Sequence, residues 1–141
     1  MRTYLVVAHR TLVGPELVAH VTALGPPEET HLHLVVPVHH PFDHAWTDGA
    51  VEAATRIRLD QGLATFRELG FEVTGEVGDA NPVYAVTTAL RTAPFTCDGV
   101  VVSTLPSGVS RWLHVDAVSR IRREVDLPVT HVEARAMTPA D

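Results

Sequence analysis

Ser103, Thr104, Ser107, Ser110 and Arg111 follow directly on the apolar run Gly99-Val100-Val101-Val102, with Pro106 and Gly108 among them. These residue types suit the capture of an anion. The hydroxyls and free backbone N–H groups donate to it, Gly108 lets the main chain approach closely, and the Arg111 guanidinium binds two oxygens at once. The other reading is a polar turn whose hydroxyls bond their own backbone. A second cluster, His9-Arg10-Thr11, follows the apolar run Tyr4–Ala8 in the same way. Six further histidines lie in the first half of the chain. His31 and His33 share one strand face, and His39, His40, Asp43 and His44 crowd a Pro-containing segment. They have metal-capable chemistry but no known ligand spacing, so no metal ligand is assigned.

Several chemistries are excluded outright. The chain has eleven Arg and no Lys, so it has neither a phosphate-binding Walker lysine nor a Schiff-base lysine. Ser103 or Ser110 could be grouped with His9 and an Asp, but no G-x-S-x-G elbow presents a nucleophile. The single cysteine, Cys97, rules out an internal disulfide and reads as a small core residue. Trp46 reads as half-buried cover and Trp112 as packing against the sheet. No catalytic residue is assigned, and the reading leans away from an enzyme. A net charge of -6 argues against nucleic acid and anionic membrane surfaces as partners. No apolar run reaches the ~20 residues of a membrane span, and no signal peptide is evident, so a cytoplasmic location is expected.

The elements that must position these residues alternate. Strands are predicted at Tyr4–Ala8, His31–Val36, Phe71–Val77, Gly99–Val102 and Leu127–Glu133. Helices are predicted between them. The first opens at Pro15. The second is capped by Asp48 and carries Val51, Thr55, Leu59, Gly62, Leu63, Phe66 and Leu69 on one face before stopping at Gly70. The third opens at Pro82, and the last runs from an Asp116 cap with Val118 and Ile121 inward. Strict β–α alternation in 141 residues implies one α/β domain with parallel strands and right-handed crossovers. The strand at 99–102 has no polar face, so both its sides are buried.

Three segments resemble the universal stress protein family. Glu76-Val77-Gly78-Asp79-Ala80-Asn81-Pro82 with Ala85-Val86 is similar to the family's "hydrophobic-x-G-D-P-x-x-x-I" lead-in to the third helix. Cys97-Asp98-Gly99-Val100-Val101-Val102 is similar to its "A-D-L-I-V-V-G" strand. Asp116-Ala117-Val118-Ser119, followed by Leu127-Pro128-Val129, is similar to its closing "G-S-V-S … P-V-L-V-V". The resemblance spans about residues 3–133. It implies a three-layer α/β/α, Rossmann-like fold of the adenine-nucleotide-hydrolase type, with a five-stranded parallel sheet of order 3-2-1-4-5. It further implies a domain over 1–134 with a flexible tail at 135–141. It also implies a homodimer formed through the last strand, Val129 to Glu133, whose open edge needs pairing or protection.

The departures from the family pattern bear on the ligand. Members that bind ATP carry G-x-x-G-x(9)-G-[S/T] after strand four, and that frame falls here on Ser103, Pro106, Asp116 and Ala117. They carry an Asp after strand one, where this chain has His9. A carboxylate at Asp116 would repel a phosphate by about 1–4 kcal/mol at 4 Å, depending on screening. The expected function is therefore small-ligand or nucleotide-related binding with a stress or regulatory role, not ATP in the family's usual pose. The expected ligand residues are His9, Arg10, Thr11, Ser103, Thr104, Ser107, Gly108, Ser110, Arg111 and Asp116. No cofactor is assigned beyond an adenine nucleotide or a phosphate-like anion as candidates. The alternatives are a dimeric interaction module without a ligand and a weak nucleotide hydrolase.

Overall fold

The computed structural model describes residues 1–9, 11–38, 48–105 and 115–134, with residues 48, 115 and 116 described by backbone alone. Five strands and four α-helices alternate along the chain: β1 (Arg2–Val7), α1 (Pro15–Thr22), β2 (Thr30–Pro37), α2 (Asp48–Glu68), β3 (Glu72–Gly78), α3 (Pro82–Thr92), β4 (Gly99–Thr104), α4 (Val115–Glu124) and β5 (Val129–Glu133). A 3-10 turn, Pro27–Glu29, leads into β2. The sheet is parallel throughout and ordered β3-β2-β1-β4-β5. The chain thus winds outward from β1 to one edge and, through β4, to the other.

Each sheet face buries its own core. Leu5, Val7, Val35, Val100 and Val102 meet Val83, Val86 and Ala89 of α3 and Val118 and Ile121 of α4. On the other face Val6, Ala8, Leu32, Leu34 and Val101 meet Leu17 and Val21 of α1 and Leu59 and Phe66 of α2. β2 and β4 are buried along their whole length, whereas β3 and β5 are partly exposed, as edges are. Alternation of polar and apolar residues in β3 is thus the signature of an edge strand.

Local signals place the helix ends. Pro82 occupies the first turn of α3, and the Asn81 side chain accepts from the N–H groups of Val83 and Tyr84 at 3.0 and 3.3 Å. Gly70 ends α2 at φ +98°, which glycine alone adopts without penalty. In α2 the predicted inner face holds for Val51, Thr55, Leu59, Gly62 and Phe66, but Leu69 lies past the helix end and is exposed.

Two boundaries differ from the sequence reading in ways that matter. β4 runs two residues further, so Ser103 and Thr104 belong to a buried strand and not to a loop. The reason lies far along the chain: Thr104 C=O accepts from Ala134 N at 2.9 Å, continuing the β4–β5 ladder. Asp116 is the second residue of α4, inside its first turn and not at its cap. Ala134, the last described residue, is buried, and the predicted tail at 135–141 lies outside the described residues.

Candidate functional site

The carboxyl ends of β1 and β4 are neighbours in the sheet, yet the chain leaves them toward opposite faces. β1 leads to α1 and β4 leads to α4, which cover different sides. This divergence opens the crevice in which parallel α/β sheets hold ligands. His9 and Thr11 come from the β1 side, and Ser103 and Thr104 from the β4 side.

The turn after β1 is closed by two backbone bonds, Leu12 N to His9 C=O at 3.4 Å and Gly14 N to Thr11 C=O at 3.0 Å. It folds back over the sheet because Leu12 is driven into the core between α2 and β2, where it meets Gly62. That anchor sets Thr11 against the end of β4. The Thr11 and Ser103 hydroxyls share a hydrogen bond of 2.6 Å, and the two residues are 4% and 1% exposed. Each hydroxyl has one proton and two lone pairs. Within the pair one proton is used and one remains, so the pair can still donate to a third group. His9, adjacent, is also buried.

Thr104, on the opposite face of β4, pairs with His131 of β5: Oγ1 to Nε2 is 2.6 Å. Burial holds the His131 imidazole below its ordinary pKa; Glu133 pulls upward and Arg122 again downward. A neutral His131 has one N–H, so either Thr104 donates to a bare Nε2 or it accepts from Nε2–H. His131 was read from sequence only as part of the last strand. Its register beside Val102, two residues before Thr104 on the same face of β4, is what brings it here. Strand alternation offered the only clue.

Of the ten predicted ligand residues, the structure brings Thr11 and Ser103 into contact, with His9 in the turn that carries Thr11, and turns Thr104 to the opposite face of β4, against His131. Arg10, Ser107, Gly108, Ser110 and Arg111 lie outside the described residues, as does the Asp116 side chain. His39, His40, Asp43, His44, Trp46 and Trp112 also lie outside them. Among the described residues no three or more metal-capable side chains converge, and no helix is long and apolar enough to cross a membrane. Two cavities of about 440 and 410 Å³ open at the other end of the sheet, around Arg2, Leu24 and Asp98. Glu28 and Glu29 line the first and Asp98 the second, where Asp98 Oδ2 accepts from Thr3 N at 2.9 Å.

No family model and no curated protein sequence matches the chain. Solved structures do. Hypothetical protein MJ0577 superposes with a TM-score of 0.65 at 12% identity, covering 96% of this chain and 98% of that one. The universal stress protein from Archaeoglobus fulgidus gives 0.60 at 13% identity, covering 94% and 93%. A protein from the universal stress protein family from Burkholderia pseudomallei gives 0.56 at 13%, covering 92% and 94%. The chain has the universal stress protein fold over nearly its whole length. At such identities the likeness is one of fold.

Proposed function

We propose that this protein binds a small ligand in the crevice beyond β1 and β4, serving a stress or regulatory role of the universal-stress-protein kind without catalysis. The ligand is a mono- or diphosphate-bearing molecule, such as an adenine nucleotide, or a simple phosphate-like anion. ATP in the family's usual pose is disfavoured by the replaced glycines and by an acidic residue in the first turn of α4. The observation that carries the reading is the 2.6 Å Thr11–Ser103 contact across the point where β1 and β4 part. That contact leaves one hydroxyl proton free to meet a ligand, beside the turn that carries His9. Arg10, Ser107, Gly108, Ser110 and Arg111 complete the proposed anion site.

Native mass spectrometry of freshly purified protein, followed by thermal shift with AMP, ADP, ATP–Mg, cyclic nucleotides and inorganic phosphate, tests this. Binding at 100 Kd of ligand stabilises by about 2.7 kcal/mol, a readily measured rise in Tm. A response to AMP, ADP or phosphate that Arg111→Ala removes supports the reading. Micromolar ATP–Mg binding with the γ-phosphate beside Asp116 contradicts it, as does silence across the whole panel.

A second reading rests on β5, whose outer edge has no partner strand among the described residues and whose Val129 and Val132 are half-buried. We propose that Val129 to Glu133 pairs with a second copy. Light scattering showing a monomer at tens of micromolar contradicts it.

A further inference from the structure

The sheet face beneath α3 carries a polar chain that the candidate ligand site does not use. It runs from the β3 edge inward to β1. Glu76 Oε2 lies 2.8 Å from His33 Nε2, His33 Nδ1 lies 2.7 Å from Thr74 Oγ1, and Thr74 Oγ1 lies 2.7 Å from His31 Nε2. His31 Nδ1 faces Thr3 Oγ1 at 3.4 Å. His31 and His33 are 8% and 6% exposed, while Thr74 is open to solvent. Phe95, from the α3–β4 connection, stands edge-on over both rings, with centroids 4.8 and 5.0 Å away.

Proton counting sets the direction of every bond. An ionised Glu76 only accepts, so His33 Nε2 carries a hydrogen. Neutral His33 then has a bare Nδ1, and Thr74 must spend its one proton there. The Thr74 oxygen therefore accepts from His31 Nε2–H. Neutral His31 in turn has a bare Nδ1, which accepts from Thr3. At neutral pH the chain donates from Thr3 toward Glu76, and both histidines are Nε2–H tautomers.

Adding one proton turns the chain around. A cationic His33 donates from Nδ1 to Thr74 while keeping its bond to Glu76. Thr74 can then donate to His31 Nε2, and His31 moves its own hydrogen to Nδ1, where Thr3 accepts it. We propose that Thr3, His31, Thr74, His33 and Glu76 form a one-proton relay, in which protonation of His33 reverses the bonds from Thr74 to Thr3 and changes the tautomer of His31 without charging it. The proton goes to His33 because its Nε2 already faces a carboxylate. A second proton, on His31, is opposed because the two 2.7 Å contacts on one oxygen hold the facing ring nitrogens within about 5.4 Å. Charge on His33 thus opposes charge on His31.

The charges around the relay act in the same sense. Glu72 stands beside His31 in the β2–β3 register, and burial outweighs it, holding His31 below its usual pKa, with His33 adding to the effect. Asp98, from the α3–β4 connection, is tied to Thr3 N at 2.9 Å. The α3 helix brings a single charged side chain, Arg91, which is exposed. The outcome is a pH-sensitive device at the β3 edge, closed over by Phe95.

Long-range ¹H–¹⁵N NMR of the imidazoles, assigned with His31→Gln and His33→Gln, tests the relay between pH 7.5 and the acid limit of folding. The expected result is two Nε2–H tautomers at pH 7.5. On acidification His33 becomes cationic while His31 passes to Nδ1–H at the same midpoint. Thr74→Ser keeps that linked response and Thr74→Val abolishes it; should Thr74→Val not fold, the wild-type and Thr74→Ser spectra decide. An Nδ1–H His31 at pH 7.5 overturns the proposal. So does a common midpoint of protonation for both rings, a His31 indifferent to His33, or a His33 neutral until the protein unfolds.

Discussion

The Thr11–Ser103 contact can be weighed by a double-mutant cycle. Both hydroxyls are almost wholly removed from water, at 4% and 1% exposure, and they lie 2.6 Å apart. Ser103→Ala removes one partner and leaves the Thr11 hydroxyl buried beside a methyl group. Losing the bond costs about 0.5–1.5 kcal/mol, and orphaning the partner costs about 1–3 kcal/mol. Thr11→Val keeps the shape of the side chain and orphans Ser103 instead. Each single variant should therefore lose roughly 2 kcal/mol, or about 4–8 °C in Tm for a domain of this size. The double variant has no orphan, so its loss should fall short of the sum of the singles by about 1–2 kcal/mol. Urea unfolding followed by circular dichroism, with unchanged m-values, reads all four corners of the cycle. Additivity within about 0.5 kcal/mol would refute the reasoning, because two hydroxyls that do not share a bond have no reason to couple.

Three further perturbations probe the scaffold. Gly62→Ala would gain about 1 kcal/mol of helix propensity, but its Cβ would meet Leu12 Cγ at 2.8 Å and Leu34 Cδ1 at 3.3 Å. Overpacking of about 1–3 kcal/mol should win, lowering Tm and shifting the Thr11 amide resonance through Leu12; a rise in Tm would contradict the packing. Gly70→Ala forces a Cβ into φ +98° and against Pro27 at 3.3 Å, and should cost about 1–2 kcal/mol by urea unfolding. Burial lowers the pKa of His31 and His131, so the unfolded chain takes up more protons than the folded one below about pH 6.5. The stabilisation is complete above that value and is lost as pH falls toward the folded pKa values. Urea midpoints should drop between pH 7.5 and 5.5, and His131→Gln should flatten the slope. A midpoint that rises on acidification contradicts this.

The fold was legible because each of its signals is local. The apolar runs marked all five strands, Pro82 and Gly70 marked helix ends, and the exposed alternation of Glu72–Gly78 marked an edge. Ser103 and Thr104 were read as loop because their types suit a turn. What keeps them in β4 is pairing with Thr130–Ala134, about thirty residues away, and a sequence does not display that distance. The relay escaped for a similar reason. His31 and His33 sharing a face was evident, but Thr74 and Glu76 read as ordinary edge residues until the β2–β3 register set them beside the rings. Thr11 and Ser103 read only as parts of two polar clusters, each following an apolar run; their meeting depends on a turn that is set by Leu12 reaching Gly62 on another element.

Amide chemical-shift mapping during titration with AMP and with inorganic phosphate tests the crevice most directly. Saturable shifts concentrated on Ala8, His9, Thr11, Ser103 and Thr104, with Met1, Arg2 and Asp98 at the far end unmoved, are the predicted result. Saturable shifts clustered at the far end of the sheet, or none at millimolar ligand, would contradict the account.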